Sequence, residues 1–226
     1  MRGEISGIEA PVNKRAPKRQ ISEKTAVKRA ERQIVKRRKL LEAAAKIIGQ
    51  HGYAGCSVSR IASKARIAHG TFYLYFKSQQ ELFDMILPTV GLAMLDEISN
   101  AIGDATDPIE IERRGFGANV QYTIDHVYMN RVLFEGQLYT PSGYETYFSE
   151  ITKSYVRSLK KSVNTGQFAN ASDEELTHIA TMLINARTGL LFKITKETRK
   201  DLDFVESLVA SYIKFVKRGL DVKRSS

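Results

Sequence analysis

SVSRIASKARIAHGTFYLYFK, residues 57–77, reads as a helix, a four-residue turn and a second helix with an exposed polar start. Ile61, Ala62 and Ala65 recur at helical spacing on the first helix. Phe72 and Phe76, four residues apart on the second, can pack down onto them. Ala68, His69, Gly70, Thr71, Tyr73 and Tyr75 are left on the open face. A helix pair of this kind is the arrangement by which proteins enter the major groove of DNA. The aromatic run FYLYF is also compatible with a buried strand, but the helical patterns on either side favour a helix. The chemistry of the open face suits base edges. His69 can donate or accept a hydrogen bond, and Gly70, without a side chain, lets the helix start approach a groove closely.

Working outward, the charge is uneven. The formal net charge is +10 over 226 residues. Residues 1–39 carry 13 Lys/Arg against 4 Asp/Glu, residues 40–77 carry 5 against 1, and residues 78–226 carry 17 against 20. A basic N-terminal third joined to a mildly acidic body fits a polyanion-binding end on a regulatory or dimerising partner. One cysteine allows no intrachain disulfide, and neither an 18-residue apolar run nor a signal-peptide centre is present. These features predict a cytoplasmic protein without a membrane partner. Residues 1–32 form a basic arm, flexible or partly helical, with Pro11 and Pro17 near its start. Arg15, Arg19 and their neighbours either follow phosphates or reach a narrow minor groove, or else form a solvated tail.

Helix-start signals recur at Ser78 with Glu81, Asp107 with Pro108 and Glu110, Ser142 with Glu145, Ser172 with Glu175, and Asp203 with Glu206. They predict an all-α chain with helices near 33–51, 58–65, 69–75, 79–103, 108–129, 131–138, 143–165, 173–196 and 202–219. Pro88 is expected to kink the fourth helix, and Gly115 and Gly117 to weaken the fifth.

With these motifs in hand, the run from Leu40 to Leu82 resembles the DNA-binding domain of the TetR repressors. The resemblance rests on Ala44-Ala45 in an amphipathic first helix, Gly52-Tyr53 at its end, Ile61-Ala62, Gly70-Thr71-Phe72-Tyr73, and Phe76 before Lys77. It implies a helix-turn-helix domain over residues 33–78 and a helical effector-binding and dimerisation domain over residues 79–226. It also implies that Ser59, His69, Gly70, Thr71 and Tyr75 lie near bases, and that Ser57, Tyr73 and Lys77 hold phosphates. Two departures stand out. Arg66-Ile67-Ala68 replaces the family's usual Gly-Val-Ser in the turn, so Arg66 is either strained at positive φ or in a different turn. Gln79 replaces a usual Lys, which removes one phosphate contact.

The resemblance further implies an effector pocket between the fourth and eighth helices and a dimer built on the last two. Met94, Phe116, Val120, Phe134, Tyr147 and Ile151 are candidates to line the pocket. Tyr122 and His126 offer polar groups on the pocket helix, although a histidine satisfied in core or surface is the commoner case. Arg187, in an otherwise apolar helix, needs a partner, either an anionic effector or a carboxylate within the fold or across a dimer. For the interface, the apolar stripes are Ile179, Met182, Leu183 and Leu190, then Val205, Leu208, Val209, Tyr212, Ile213 and Val216. Both stripes can equally fill a core. Cys56 reads as a small hydrophobe more readily than as an oxidant sensor, and the histidines show no metal-ligand spacing.

Together these features imply a homodimeric repressor that binds a palindromic operator in double-stranded DNA and is released by a small, mostly apolar or aromatic effector. No cofactor, metal or catalytic residue is expected. An activator or an effector-independent DNA binder of the same fold is the alternative. An enzyme in the C-terminal body lacks a phosphate loop, nucleophile motif or paired carboxylates.

Overall fold

The computed structural model describes residues 23–163 and 171–220, and every regular element among them is helical. In chain order these are α1 (Glu23–His51), α2 (Val58–Ala65), α3 (His69–Phe72), α4 (Gln79–Ile102) and α5 (Pro108–Asp125). They continue with α6 (Met129–Tyr139), α7 (Pro141–Val163), α8 (Asp173–Leu191), a 3-10 turn (Thr198–Lys200) and α9 (Leu202–Leu220).

Capping chemistry sets most starts. The side chains of Ser57, Ser78, Asp107 and Ser172 each accept the backbone N–H three residues on, from Arg60, Glu81, Glu110 and Glu175. Two caps differ from expectation. α7 begins at Pro141, where proline suits a first helical position, and Ser142 lies inside the helix. The carboxylate of Asp201, rather than Asp203, accepts the Phe204 N–H at 3.0 Å and starts α9.

Four ends differ as well. α1 begins at Glu23 rather than near residue 33, because nothing from 23 onward breaks it. α3 closes at Phe72 rather than residue 75, and Tyr73–Tyr75 continue as turns bonded to Thr71 and Phe72. α5 ends at Asp125, where the N–H of His126 and its Nδ1 both bond the Tyr122 carbonyl. α8 ends at Leu191. Beyond it, Thr195 and Thr198 hydroxyls bond backbone groups, and Thr198 Oγ1 donates to the Lys193 carbonyl at 2.8 Å, which competes with helix.

Two main cores form. In the first, Leu40, Ala44 and Ile48 of α1 meet Ile61 of α2, then Phe72, Phe76 and the α4 side chains Leu82, Phe83 and Ile86. In the second, Phe116 and Val120 of α5 meet Leu183 of α8 and Leu208, Tyr212 and Val216 of α9. α4 belongs to the first core at its start and packs along α5 and α7 beyond it.

Pro88 does not end α4, which runs through it as one helix. The proline has no N–H to offer the Asp84 carbonyl, and buried Gly143 of α7 sits directly against that carbonyl. A Cβ on Gly143 would lie 2.5 Å from the Asp84 oxygen. Thr140 Oγ1 also donates to the Asp84 carboxylate at 2.5 Å, so α7 starts tied to α4.

Candidate nucleic-acid interface and internal cavity

The turn between α2 and α3 is closed by a pair of capping hydrogen bonds. The Arg66 N–H bonds the Ser63 carbonyl at 3.1 Å and the Ile67 N–H reaches back to Ala62 at 3.0 Å. Arg66 occupies the left-handed region at φ 56°, ψ 49°. The turn therefore keeps the backbone a glycine would favour, with arginine held in it.

This turn presents α3 outward. His69 and Gly70 are exposed, Thr71 is half-buried, and a Cβ at Gly70 would meet nothing within 4 Å. Tyr73 is exposed and lies edge-on to His69, with ring centroids 5.9 Å apart. Phe72 on the opposite side is fully buried. Ser57 and Ser59 are exposed at the start of α2, and Lys77 is exposed just before α4, its N–H donating to Glu81 at 2.6 Å. Tyr75 departs from expectation. It stands in the turn after α3 and packs half-buried against the first core, since the helix that would have carried it outward has already ended. Arg15 and Arg19 lie outside the described residues.

One side chain of this edge escaped the sequence reading, and another plays a different part than expected. Arg60 is exposed beside Ser57, its guanidinium donating to the Gly55 carbonyl at 2.8 Å, and its one-turn spacing from Ser57 was the available signal. Gln79 is not simply a missing cation. Its amide donates to the Cys56 carbonyl at 2.7 Å and ties the start of α4 to the loop before α2. Cys56 itself is buried, and burial pushes its thiol up to about 12 against the opposing charge of Arg60. It is a packed small side chain.

The second site is a cavity of about 110 Å³ bounded by α4, α5, α6, α7 and α8. Met94, Tyr122, Tyr147, Ile151 and Arg187, all named as pocket candidates, are among its lining. The apolar stripe Leu87, Val90, Leu95 and Ile98 of α4 also lines it, a helical periodicity the sequence reading passed over. Asn119 is the polar group of note: its amide donates at 3.0 Å to the Met94 thioether, a weak acceptor.

Four expected lining residues are elsewhere. Phe116 is fully buried in the second core with its ring 4.3 Å from that of Tyr212, and Val120 packs beside it. His126 caps α5 and stacks on Tyr122 at 4.3 Å. Phe134 is 74% exposed on α6, because Val132 and Gly136 take the inward face of that short helix.

Arg187 meets its charge within the chain. Its Nη2 lies 2.6 Å from the Glu112 carboxylate, its Nε donates to Tyr212 Oη at 2.9 Å, and both Tyr155 and Tyr212 donate to the same carboxylate. Burial works against the Arg187 charge, but the tyrosine and carboxylate oxygens around it hold its pKa above the ordinary arginine value. Burial likewise pushes Tyr212 up to about 12, so the phenol stays a donor to Glu112. An anionic ligand at Arg187 would have to displace a carboxylate already in place.

Of the expected interface residues, Leu183, Leu208, Tyr212 and Val216 are buried in the chain's own second core and are not available to a partner. On α9, Leu208, Tyr212 and Val216 turn toward Phe116 and Val120 of α5 and Leu183 of α8. Ile179, Leu190, Val205, Val209 and Ile213 are half-buried, and Met182 is 64% exposed. Phe215, 61% exposed, was missed because it falls outside the stripe.

Among the described residues, no three His, Cys, Asp or Glu side chains gather to hold a metal, and no helix is long and apolar enough to cross a membrane.

An exposed short helix on a capped α2–α3 turn, carried by an all-helical body, is the architecture of helix-turn-helix transcriptional regulators and supports a DNA-binding regulator. The family model for bacterial regulatory proteins of the tetR family matches residues 40–86. Over these residues the chain is similar to the bacterial regulatory proteins of the tetR family. An uncharacterized HTH-type transcriptional regulator of Bacillus subtilis, YhgD, is 24% identical over 184 residues, covering 80% of this chain and 95% of that protein. A TetR-like transcriptional regulator from Rhodococcus sp. RHA1 superposes with a TM-score of 0.61 at 21% identity, covering 84% of this chain and 97% of the other. The fatty acid degradation regulator FadR of Bacillus halodurans gives a TM-score of 0.61 at 22% identity, with coverage of 84% and 96%. These two likenesses speak to the fold.

Proposed function

We propose that the protein is a homodimeric transcriptional repressor that binds a palindromic operator through α2 and α3 and is released when a small, uncharged, mostly apolar or aromatic effector enters the cavity. Residues 33–78 then form the DNA-binding domain, and residues 79–226 the effector and dimer domain. The observation that carries this reading is the double membership of α4. Leu82, Phe83 and Ile86 lie in the core beneath the recognition helix, while Val90, Met94 and Ile98 of the same helix line the cavity. A ligand that moves the cavity wall of α4 therefore moves the floor of the DNA-binding domain.

α6 supports the same coupling. Met129, Asn130 and Leu133 line the cavity, while Arg131 and Glu135 of the same helix hold the end of α1 and the loop after it. Arg131 donates to the Gln50 carbonyl at 3.1 Å, and the Glu135 carboxylate accepts the Tyr53 N–H at 2.9 Å. The cavity approaches the ~150 Å³ of an engineered void that takes up benzene. The buried cation on its wall, Arg187, is already paired, which favours a neutral effector over an anion.

For release, the ligand need only prefer the non-binding spacing of the two recognition helices, and a hundredfold preference supplies roughly 2.7 kcal/mol of coupling. The test is a panel of small aromatic and aliphatic compounds added to the operator complex. Neutral members should raise the melting temperature of the free protein and lower operator affinity, and Asn119→Leu should alter which members act. A panel that binds without changing operator affinity would favour an effector-independent binder, and an operator placed upstream of a promoter and needed for its firing would favour an activator.

A further inference from the structure

α1 is far longer than the domain it serves. Leu40 to Ile48 pack in the first core, but residues 25–36 are exposed along their whole length. Arg37 fixes where the helix leaves the domain. Its guanidinium carbon stands 4.8 Å from the centre of the Phe76 ring, and its Nη2 lies 3.7 Å from Glu81 and 2.7 Å from the Met85 sulfur. Phe76 and Glu81 bracket Lys77 at the start of α4. The extension therefore departs from the edge of the domain that also carries Tyr73 and Lys77. At 1.5 Å per residue, residues 25–36 make a rod about 18 Å long, the span of roughly five base pairs.

The rod is charged on one side. Lys28, Arg29, Arg32, Lys36 and Lys39 fall within about 100° of arc at 3.6 residues per turn. All five are exposed, and none makes an ion pair among the described residues. The two arginines outside this arc are the ones with partners, Arg37 with Glu81 and Arg38 with Glu42. Like charges one turn apart repel and weaken an isolated helix, and a polyanion laid along them relieves the repulsion.

We infer that this N-terminal extension of α1 is a second DNA-contacting element. Resting on the reading of the protein as an operator-binding regulator, it lies against the phosphates of the duplex flanking the site read by α2 and α3, through Lys28, Arg29, Arg32 and Lys36. It adds affinity and footprint but reads no bases, since phosphate contacts carry no sequence information. The other surface suited to a basic amphipathic helix is an anionic membrane. The exposed apolar side chains of the same segment, Val27, Ile34 and Val35, are all aliphatic, with no aromatic anchor among them, whereas the cations form an unbroken stripe on a helix that runs directly into the first core at Leu40.

The experiment compares the full chain with a Lys28→Gln/Arg29→Gln/Arg32→Gln/Lys36→Gln variant, all substitutions at exposed sites and to a good helix former. Each is titrated, across a salt series, with an operator duplex trimmed to its core and with one extended by about one helical turn at each end. The parent should bind the extended duplex about tenfold tighter, and the variant should lose that gain. On the extended duplex the variant's slope of log K against log salt should be shallower by ~0.9 for each phosphate it no longer neutralises, ~3.6 if all four cations engage in the parent. Ala30→Pro, which keeps every cation but breaks the rod, should lose most of the flank gain. Equal parent affinity for trimmed and extended duplexes would overturn the proposal, as would full flank gain in either variant. Charge-dependent binding found only on phosphatidylserine vesicles would overturn it in favour of a membrane. A parent that binds no duplex at all would instead show that the regulator reading beneath it is wrong.

Discussion

Arg66 holds a backbone conformation in which a side chain is a burden. The left-handed region crowds Cβ against the following carbonyl by about 1–2 kcal/mol, part of which glycine's larger loss of chain entropy would offset. Arg66→Gly should therefore stabilise the protein by about 0.5–1 kcal/mol, read as a higher denaturation midpoint at unchanged denaturant slope. The sequence raised positive φ here only as one of two options, because a lone non-glycine residue does not reveal which backbone the two flanking helices impose. Glu112 gives the opposite kind of residue. Removing it strands Arg187 and leaves the hydroxyls of Tyr155 and Tyr212 without their acceptor. Glu112→Ala should cost about 3–5 kcal/mol, measured by urea unfolding, and a cost below about 1 kcal/mol would mean that the network is not closed in solution.

At the scale of elements, the α4–α7 contact depends on a missing side chain. Gly143 lies against the Asp84 carbonyl that Pro88 leaves without an intrahelical donor, and Ala would place its Cβ 2.5 Å from that oxygen. Gly143→Ala should cost about 1–3 kcal/mol because the backbone on both sides must give way. Gly117, with nothing within 4 Å of its added Cβ, should tolerate Ala and gain helix propensity by about 1 kcal/mol. Thermal melts of the two variants should move in opposite directions. Helix starts were legible because Ser78, Asp107 and Ser172 announce themselves by their side-chain chemistry. Helix ends were less so. α8 stops where Thr195 and Thr198 bond the backbone in competition with it, and Tyr75 left the open face when α3 closed early. The cavity lining was only partly legible, since an apolar residue at helical spacing, such as Phe116, carries no mark of whether it faces a void or a neighbour.

For the whole molecule, the reassignment of Leu183, Leu208, Tyr212 and Val216 to the chain's own core changes which substitutions should separate a dimer. If copies pair through α8 and α9, the available apolar surface includes exposed Met182 and Phe215 and the half-buried Ile179, Leu190, Val205, Val209 and Ile213. Met182→Glu/Phe215→Glu should yield a folded monomer by sedimentation, whereas Leu183→Glu should unfold the chain by burying an unpaired charge. An unchanged oligomeric state in the first variant would remove these helices from the interface.

The central claim is sequence-specific recognition by the exposed face of α3. Selection of bound duplexes from a random library measures it most directly, with the parent and His69→Ala run side by side. The account predicts that the parent enriches one palindrome whose half-sites are one helical turn apart, or ~34–36 Å. It also predicts that His69→Ala changes the preferred base at a symmetric pair of positions while binding random DNA as before. A parent that enriches no palindrome, or a variant with an identical consensus, would contradict it.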